Sequence, residues 1–179
     1  RRVFVPAKDV VNEISGFPEV PIDYITFSGA GEPTLAKNLG AMIKAVKKIR
    51  KEKIAVITNA SLMNRRDVQT ELLMADFILA KLDAGSEEMF QVMNRPALPL
   101  NLRTIVGSLK GFRSIYQGRL ALQIMFTPRN KNEAESIARL AQGIRPDEIQ
   151  LNTPLRPCGE NPLSKEVMQN SNLKLICIS

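Results

Sequence analysis

Short apolar runs alternate along this chain with longer segments in which apolar residues recur every three or four positions. Runs of this length and β-branched content are typical of buried strands. The pattern predicts five strands, at Tyr24–Ser28, Ile54–Thr58, Phe77–Leu82, Leu120–Phe126 and Glu148–Asn152. It predicts helices at 7–15, 37–51, 64–75, 86–115 and 132–143, the fourth broken at Arg95–Pro96 and Pro99 because proline interrupts a helix.

The alternation predicts an α/β fold with a parallel sheet, because parallel strands need crossover helices and are buried by them. The predicted strands begin about every 31 residues, which is the size of a βαβ unit. A closed barrel of eight such units needs about 250 residues, whereas this chain has 179. The sequence therefore predicts one domain over residues 1–179, either an open doubly wound sheet or an incomplete barrel.

Composition narrows the possible chemistry. The chain has no histidine, which excludes Ser-His-Asp and Cys-His nucleophilic sites and histidine-ligated metals. Its two cysteines, Cys158 and Cys177, are not spaced as a metal motif and are interpreted as reduced thiols. No apolar run is long enough to span a membrane and no signal-peptide pattern precedes the first strand, so we expect a cytoplasmic protein.

The net charge of +7 comes mostly from one predicted helix, between Lys37 and Lys53. Apolar residues form one stripe of this helix, at Leu39, Met42, Ile43, Val46 and Ile49. The lysines lie on or beside the opposite face, at Lys44, Lys47, Lys48 and Lys51. A solvated outer face explains them, and a noncatalytic RNA-binding module that also uses Arg65 and Arg66 is an alternative.

Polar residues gather where the predicted strands end, which is where α/β folds bind ligands. The first strand is followed by Ser28-Gly29-Ala30-Gly31-Glu32-Pro33-Thr34, in which small residues let the backbone approach a ligand. The stretch matches neither the dinucleotide nor the Walker phosphate motif. The Glu32 carboxylate suits a cationic group such as an amine.

Other strand ends carry further candidates. Lys81 and Asp83 are two positions apart and are expected to share a face, either as an ion pair or with Lys81 as the nucleophile of an aldolase-type Schiff-base lyase. Gln123 lies inside an apolar strand and is expected to face a polar cavity or a partner across the interior. Asn152 and Arg156 follow the last strand.

Three stretches together resemble the radical S-adenosylmethionine (SAM) superfamily: Gly29-Ala30-Gly31-Glu32-Pro33-Thr34-Leu35, Thr58-Asn59-Ala60-Ser61 and Lys81-Leu82-Asp83-Ala84. The resemblance is closest to the small iron-sulfur oxidoreductases of the wybutosine-related and glycyl-radical-activating branches. It extends to Gln150-Leu151-Asn152-Thr153-Pro154-Leu155-Arg156-Pro157 and so covers nearly the whole chain.

The resemblance implies an incomplete parallel (βα)6 TIM-like barrel with about five βα units present. It implies that SAM is cleaved to a 5′-deoxyadenosyl radical that abstracts hydrogen from a substrate, for which tRNA and a protein glycyl site are the candidates. A reductant is the implied partner, and no membrane is involved. Gly29, Ala30, Gly31 and Glu32 are implied to hold the SAM amino group. The other implied binding residues are Asn59, Lys81, Asp83, Gln123 and Asn152.

Two departures from the family pattern limit what the chain can do. Ala60 stands where the family's threonine-asparagine-glycine turn has glycine. The C-x3-C-x2-C motif that ligates the family's [4Fe-4S] cluster is absent, and a cubane cluster needs thiolate ligands. We therefore expect a fragment or processed product that lacks the first strand and the cluster loop, binds no iron and is inactive alone.

Overall fold

A computed structural model describes residues 1–29, 31–97, 99–156 and 159–169. The strands are β1 (Tyr24–Phe27), β2 (Lys53–Thr58), β3 (Phe77–Lys81), β4 (Arg119–Met125) and β5 (Glu148–Asn152). The helices are α1 (Ala7–Ser15), α2 (Leu39–Ile49), α3 (Arg66–Leu72), α4 (Glu87–Asn94), α5 (Leu102–Ile115), α6 (Ala134–Ile144) and α7 (Lys165–Met168). A single 3-10 turn follows β1 at Pro33–Leu35, and another precedes α6 at Lys131–Glu133.

All five predicted strands are present within one or two residues of their predicted bounds. The predicted fourth helix is two helices, α4 and α5, and the gap between them contains Pro96 and Pro99, as expected. Helix α3 is shorter than predicted. Its last turn tightens, because the N–H groups of Met74 and Ala75 donate to carbonyls three residues back, so the α-helix ends at Leu72.

The strand order distinguishes an incomplete barrel from a doubly wound sheet. The sheet is parallel throughout, and its spatial order β1-β2-β3-β4-β5 is the order of the chain. Because parallel crossovers are right-handed, an order that never reverses places every crossover helix on the same face. The structure is therefore an open α/β sheet of the partial-barrel type, as the resemblance implied.

The two faces of the sheet differ in burial. One face packs against the helices and is buried almost completely, with Ile54, Val56, Ile78, Ala80, Leu120, Leu122 and Ile124 all at 0% exposure. The opposite face corresponds to the inside of a barrel. It is buried at its centre by Ala55, Leu79 and Ala121 and becomes half-buried and polar toward the carboxyl end, at Lys81, Gln123 and Asn152.

Helix α2 follows the predicted apolar stripe except at its last residue. It buries Leu39, Met42, Ile43 and Val46, while Ile49 is 43% exposed. At 3.6 residues per turn, Ile49 lies about 80° around the helix from Leu39, so it is at the border of the packed face as well as in the last turn. Lys44 and Lys48 are exposed, as expected, and Lys47 forms an ion pair with Asp76 across 2.8 Å.

Two aspartates form the same pair of hydrogen bonds at the amino ends of neighbouring strands. Asp76 Oδ2 accepts from the backbone N–H of Ile54 at 2.7 Å, and the Asp76 N–H donates to the Ile54 carbonyl at 2.9 Å. Asp147 makes the same pair of bonds with Leu120, at 2.7 and 2.8 Å. Each aspartate lies just before one strand and forms hydrogen bonds with the backbone near the start of the preceding strand. Its side chain thereby adds one more bond to the hydrogen-bond ladder between the two strands.

Acid should weaken the fold through Asp76. Partial burial tends to raise the pKa of Asp76, but the Ile54 N–H and the Lys47 ammonium outweigh it and hold that pKa below its usual value. A lowered carboxyl pKa contributes stability above the unfolded-state pKa of about 3.9, and this contribution is lost as pH falls through the folded-state value.

We therefore expect Asp76→Asn to lower the melting temperature at pH 7 and to lose this difference as the pH approaches about 2. Thermal unfolding followed by circular dichroism across that range is the measurement. Asp23→Asn, at an exposed position just before β1, is the matched control and should differ little from wild type at any pH. A pH-independent deficit in Asp76→Asn would contradict the role of the charge.

The β1 edge of the sheet is open among the described residues, where β1 pairs only with β2, as expected. Beside it lies an apolar cavity of about 320 Å³, bordered by Ile14, Phe17, Pro18, Val20, Ile22, Ile25 and Arg50. Within the described part of the chain, every helix is too short or too polar to cross a lipid bilayer.

Candidate functional site

The predicted site residues lie at the carboxyl edge of the sheet, where five loops meet. Gly29, Gly31 and Glu32 follow β1, and Asn59 follows β2. Lys81 ends β3, Gln123 lies in β4 and Asn152 ends β5, so each strand contributes to this edge. Ala30 and Cys158 lie outside the described residues, as does Cys177.

The Glu32 carboxylate is already bound by this chain. Its Oε1 accepts from the Thr34 N–H at 3.1 Å, from the Thr34 hydroxyl at 2.7 Å and from the Thr58 hydroxyl at 2.6 Å. Its Oε2 accepts from the Asn59 N–H at 2.8 Å. Glu32 thus caps the 3-10 turn that follows it and joins the end of β1 to the end of β2.

Two side-chain hydrogen bonds fix the conformation of the turn after β2. The Thr58 hydroxyl accepts from the Ala60 N–H at 3.1 Å, and Asn59 Oδ1 accepts from the Ser61 N–H at 2.9 Å. Ala60 is buried and has φ 63°, the left-handed conformation that glycine adopts most readily. The position at which the sequence departs from the family's glycine is therefore one where a Cβ is costly.

Lys81 and Asp83 form the ion pair that their spacing predicted, with Nζ and Oδ2 3.2 Å apart. The Asp83 side chain is only 8% exposed, and its Oδ1 accepts from the Met125 N–H at 2.8 Å. Burial raises the pKa of Asp83, although Lys81 and the Met125 N–H act in the opposite direction. Asp83 therefore both anchors Lys81 and continues the β3–β4 pairing beyond the end of β3.

A polar row crosses the inner face of the sheet. The strand register places Lys81 beside Gln123 and Gln123 beside Gln150, with Met125 beside Asn152 one step nearer the edge. The Gln123 side chain is half-buried and has no hydrogen-bond partner among the described residues, so the expected partner across the interior is not seen among them. A cavity of about 570 Å³ adjoins this row, lined by Met125, Leu151, Asn152, Thr153, Pro154, Leu155, Arg156 and Met168.

Asn130 organises this edge and was not singled out by the sequence. It is fully buried, and its Nδ2 donates to the carbonyls of Asp83 at 2.7 Å and Met125 at 2.9 Å. Its Oδ1 accepts from the Thr127 N–H at 2.7 Å. Asn130 thus ties the ends of β3 and β4 together, and only its position in the loop after a predicted strand hinted at this.

Arg1 supports the loop after β1 from outside. Its side chain is 6% exposed and donates to the carbonyls of Thr34 at 2.7 Å and Ala36 at 2.6 Å. It also pairs with Asp67 at 2.8 Å and with Glu71, both on α3. The guanidiniums of Arg65 and Arg1 hold the pKa of Asp67 well below its usual range.

The described residues contain no group of three acidic or cysteine side chains placed to hold a metal ion. The whole sequence has two cysteines and no histidine, which is too few ligands for a cubane cluster. This chain therefore does not itself supply the thiolates that a [4Fe-4S] cluster needs.

Comparison with solved structures identifies the architecture. The chain superimposes on a radical SAM methyltransferase from Sphaerobacter thermophilus with a TM-score of 0.67 and 16% identity, covering 93% of this chain and 50% of the methyltransferase. It matches TYW1 with a lysine-pyruvate adduct bound at a TM-score of 0.65 and 19% identity, covering 86% of this chain and 48% of TYW1. The chain has the fold of the radical SAM enzymes. A domain of a pyruvate-formate lyase-activating enzyme from Bacteroides vulgatus shares it, with a TM-score of 0.63 at 16% identity over 86% of this chain and 92% of that domain.

Sequence relatives are longer than this chain. A UPF0026 protein of Synechocystis is 37% identical over 96% of this chain, which spans 64% of that protein. A UPF0026 protein of Methanocaldococcus jannaschii is 35% identical over 86% of this chain, which spans 48% of it. A GTPase Obg of Brachyspira hyodysenteriae is 35% identical over 75% of this chain, but the match covers only 20% of that protein. No family model matches the chain.

Proposed function

We propose that this chain is the greater part of the core of a radical SAM enzyme and that its carboxyl edge binds SAM. The observation that carries the proposal is that this edge has both hydrogen-bond acceptors for an amino group and a positive charge for a carboxylate. Gly29 and Gly31 present carbonyl oxygens that accept no hydrogen bond from any described residue, and they suit an ammonium group. Lys81 presents an ammonium of its own, which suits a carboxylate.

The remaining candidates extend the proposed site along the carboxyl edge. Asn59, Gln123 and Asn152 carry side-chain amides that can bind hydroxyl groups and ring nitrogens, and Asp83 holds Lys81 in place. The cavity beside Asn152 adds apolar walls for a larger group. Proteins with the same fold include a radical SAM methyltransferase and TYW1, which supports SAM as the ligand.

In the whole protein, bound SAM would supply methionine and a 5′-deoxyadenosyl radical once it receives an electron, and the radical would abstract hydrogen from the substrate. This chain's residues would hold SAM and orient it. The cluster that delivers the electron does not fit the ligands present here, so its cysteines belong to a part of the protein outside this chain. The longer relatives leave room for such a part.

The proposal extends to organisation and partners. Residues 1–179 form a single partial-barrel unit, and the whole protein takes electrons from a reductant. Its substrate is a tRNA or a protein glycyl site, the two substrate classes of the family branches that the sequence resembles. The open β1 edge leaves a place for a further strand of the whole protein.

Direct binding tests the proposal. We expect saturable binding of SAM to this chain by isothermal titration calorimetry, weakened about tenfold or more by Lys81→Gln, because a charge-assisted hydrogen bond is lost. Lys48→Gln, on the exposed face of α2, is the matched control and should leave the affinity unchanged. Absence of SAM binding to the wild-type chain would contradict the proposal.

Two further experiments test where the cluster ligands lie and whether Lys81 acts as a Schiff-base nucleophile. After anaerobic reconstitution this chain should hold no stoichiometric iron, and four irons per chain would overturn the assignment of the cluster ligands. Borohydride reduction with pyruvate tests the Schiff-base lyase hypothesis. We expect no labelling of Lys81, because its Nζ is held in an ion pair with Asp83 Oδ2 at 3.2 Å and is not free to attack a carbonyl carbon. Labelling of Lys81 would favour the lyase.

A further inference from the structure

The hydrogen bonds of Glu32 leave its carboxylate little capacity for a ligand. A carboxylate offers about four acceptor positions. Four donors from this chain bind it: the Thr34 N–H, the Thr34 hydroxyl, the Thr58 hydroxyl and the Asn59 N–H. Oε2 accepts only the last of them, so one of its two positions stays open. Three of the four converge on Oε1. The Glu32 carboxylate therefore mainly joins two loops of the chain itself, the one after β1 and the one after β2.

What Glu32 holds is the turn that presents Asn59. The Thr58 hydroxyl donates to Glu32 and accepts from the Ala60 N–H. It therefore links the Glu32 carboxylate to Ala60, the residue with left-handed backbone. Thr58 is 1% exposed and cannot replace these bonds with water. The Asn59 side chain is exposed, with Oδ1 engaged by the Ser61 N–H and the two Nδ2 donors without a partner among the described residues.

The acceptors available to a ligand at this place are different groups. The carbonyl oxygens of Gly29 and Gly31 accept no hydrogen bond within the described residues, and both glycines are exposed. An ideal Cβ at Gly31 would meet no atom within 4 Å, so open space adjoins the loop. A ligand amine therefore finds two neutral carbonyls free, whereas the Glu32 carboxylate offers one open position on Oε2.

We infer that Glu32 is a positioning residue, which clamps the Thr58–Ala60 turn to the loop after β1 and thereby presents Asn59 and the glycine carbonyls to the ligand. This inference rests on the proposed SAM site and reassigns the expected contact between Glu32 and the amino group. Glu32 acts on the ligand through the Thr58 hydroxyl and the Asn59 backbone. Thr58 is consequently as important for binding as Glu32, although it does not touch the ligand.

A double-mutant cycle on the full chain tests the clamp, with SAM as the titrated probe. We expect Glu32→Gln and Thr58→Val each to weaken SAM binding about tenfold, and the double variant to be no more than about twofold weaker than the weaker single variant, because both break one unit. Thr58→Ser keeps the hydroxyl and should restore affinity to within about twofold of wild type. The controls are Glu88→Gln and Thr70→Val at exposed helical positions.

Amide hydrogen exchange gives a second readout that does not depend on SAM. In Glu32→Gln the backbone amides of Asn59 and Ala60 should exchange about tenfold faster or more, while amides of the core strands keep their protection. If Thr58→Val binds SAM as well as wild type while Glu32→Gln does not, Glu32 contacts the ligand directly and the inference is wrong. If wild type fails to bind SAM, the proposed function fails, and unchanged exchange in Glu32→Gln would separately overturn the clamp.

Discussion

Replacing Asn130 with alanine is expected to lower the free energy of unfolding by about 3 kcal/mol or more. Asn130 is fully buried, and its removal leaves the carbonyls of Asp83 and Met125 and the Thr127 N–H without their partner. Water cannot reach these groups without opening the loop, so each loses most of a hydrogen bond. Urea unfolding followed by circular dichroism measures the change.

The matched control for this substitution lies two residues away. Asn132 is exposed in the 3-10 turn before α6, and Asn132→Ala should change stability by no more than about 0.5 kcal/mol. Asn130→Asp keeps the acceptor but loses both donors and should be destabilised like the alanine variant. A loss below about 1 kcal/mol in Asn130→Ala would mean that the loop after β4 is held by other contacts.

Gly85→Ala is expected to destabilise the fold by about 2–3 kcal/mol, because the added methyl group has no room. A Cβ built on Gly85 would lie 2.5 Å from the Ser136 Cβ and 2.9 Å from the backbone nitrogen of Ile137. Both atoms belong to the first turn of α6, which would have to shift. The bond from the Gly85 N–H to Glu133, 3.0 Å long, would shift with it.

The chain contains a control of opposite sign. Gly107 lies in the middle of α5, where an added Cβ would meet no atom within 4 Å. Gly107→Ala should therefore stabilise the protein by about 0.5–1 kcal/mol, since alanine favours the helix and restricts the unfolded chain. Chemical denaturation of both variants is the measurement. Equal effects at the two positions would show that crowding at α6 does not determine the cost at Gly85.

The sequence predicted the fold well because its signals are local. Apolar runs located the five described strands, three-to-four spacing located the helices, and Pro96 and Pro99 located the gap between α4 and α5. The shortened α3 and the exposed Ile49 depended on how the helix ends met the rest of the structure, which the pattern of a single segment does not contain.

The candidate site was predictable in place and less so in detail. The rule that ligand groups follow parallel strands located Glu32, Lys81 and Asn152 at one edge. The hydrogen bond between Glu32 and Thr58, 26 residues apart in the chain, depends on the register of two strands and cannot be read from either segment. Asn130 was missed for a related reason, because the bond that joins the two strand ends reaches the Asp83 carbonyl, 47 residues away in another loop.

The order of strands in the sheet, identical to their order in the chain, has a consequence for how the protein is made. Each strand pairs with the one synthesised just before it, so a nascent chain leaving the ribosome meets an edge that already exists. At about 5–20 residues per second, one repeat of about 31 residues emerges in about 2–6 seconds. The core can therefore form one unit at a time during translation, and at each stage the sheet exposes the β1 edge and the edge of its newest strand.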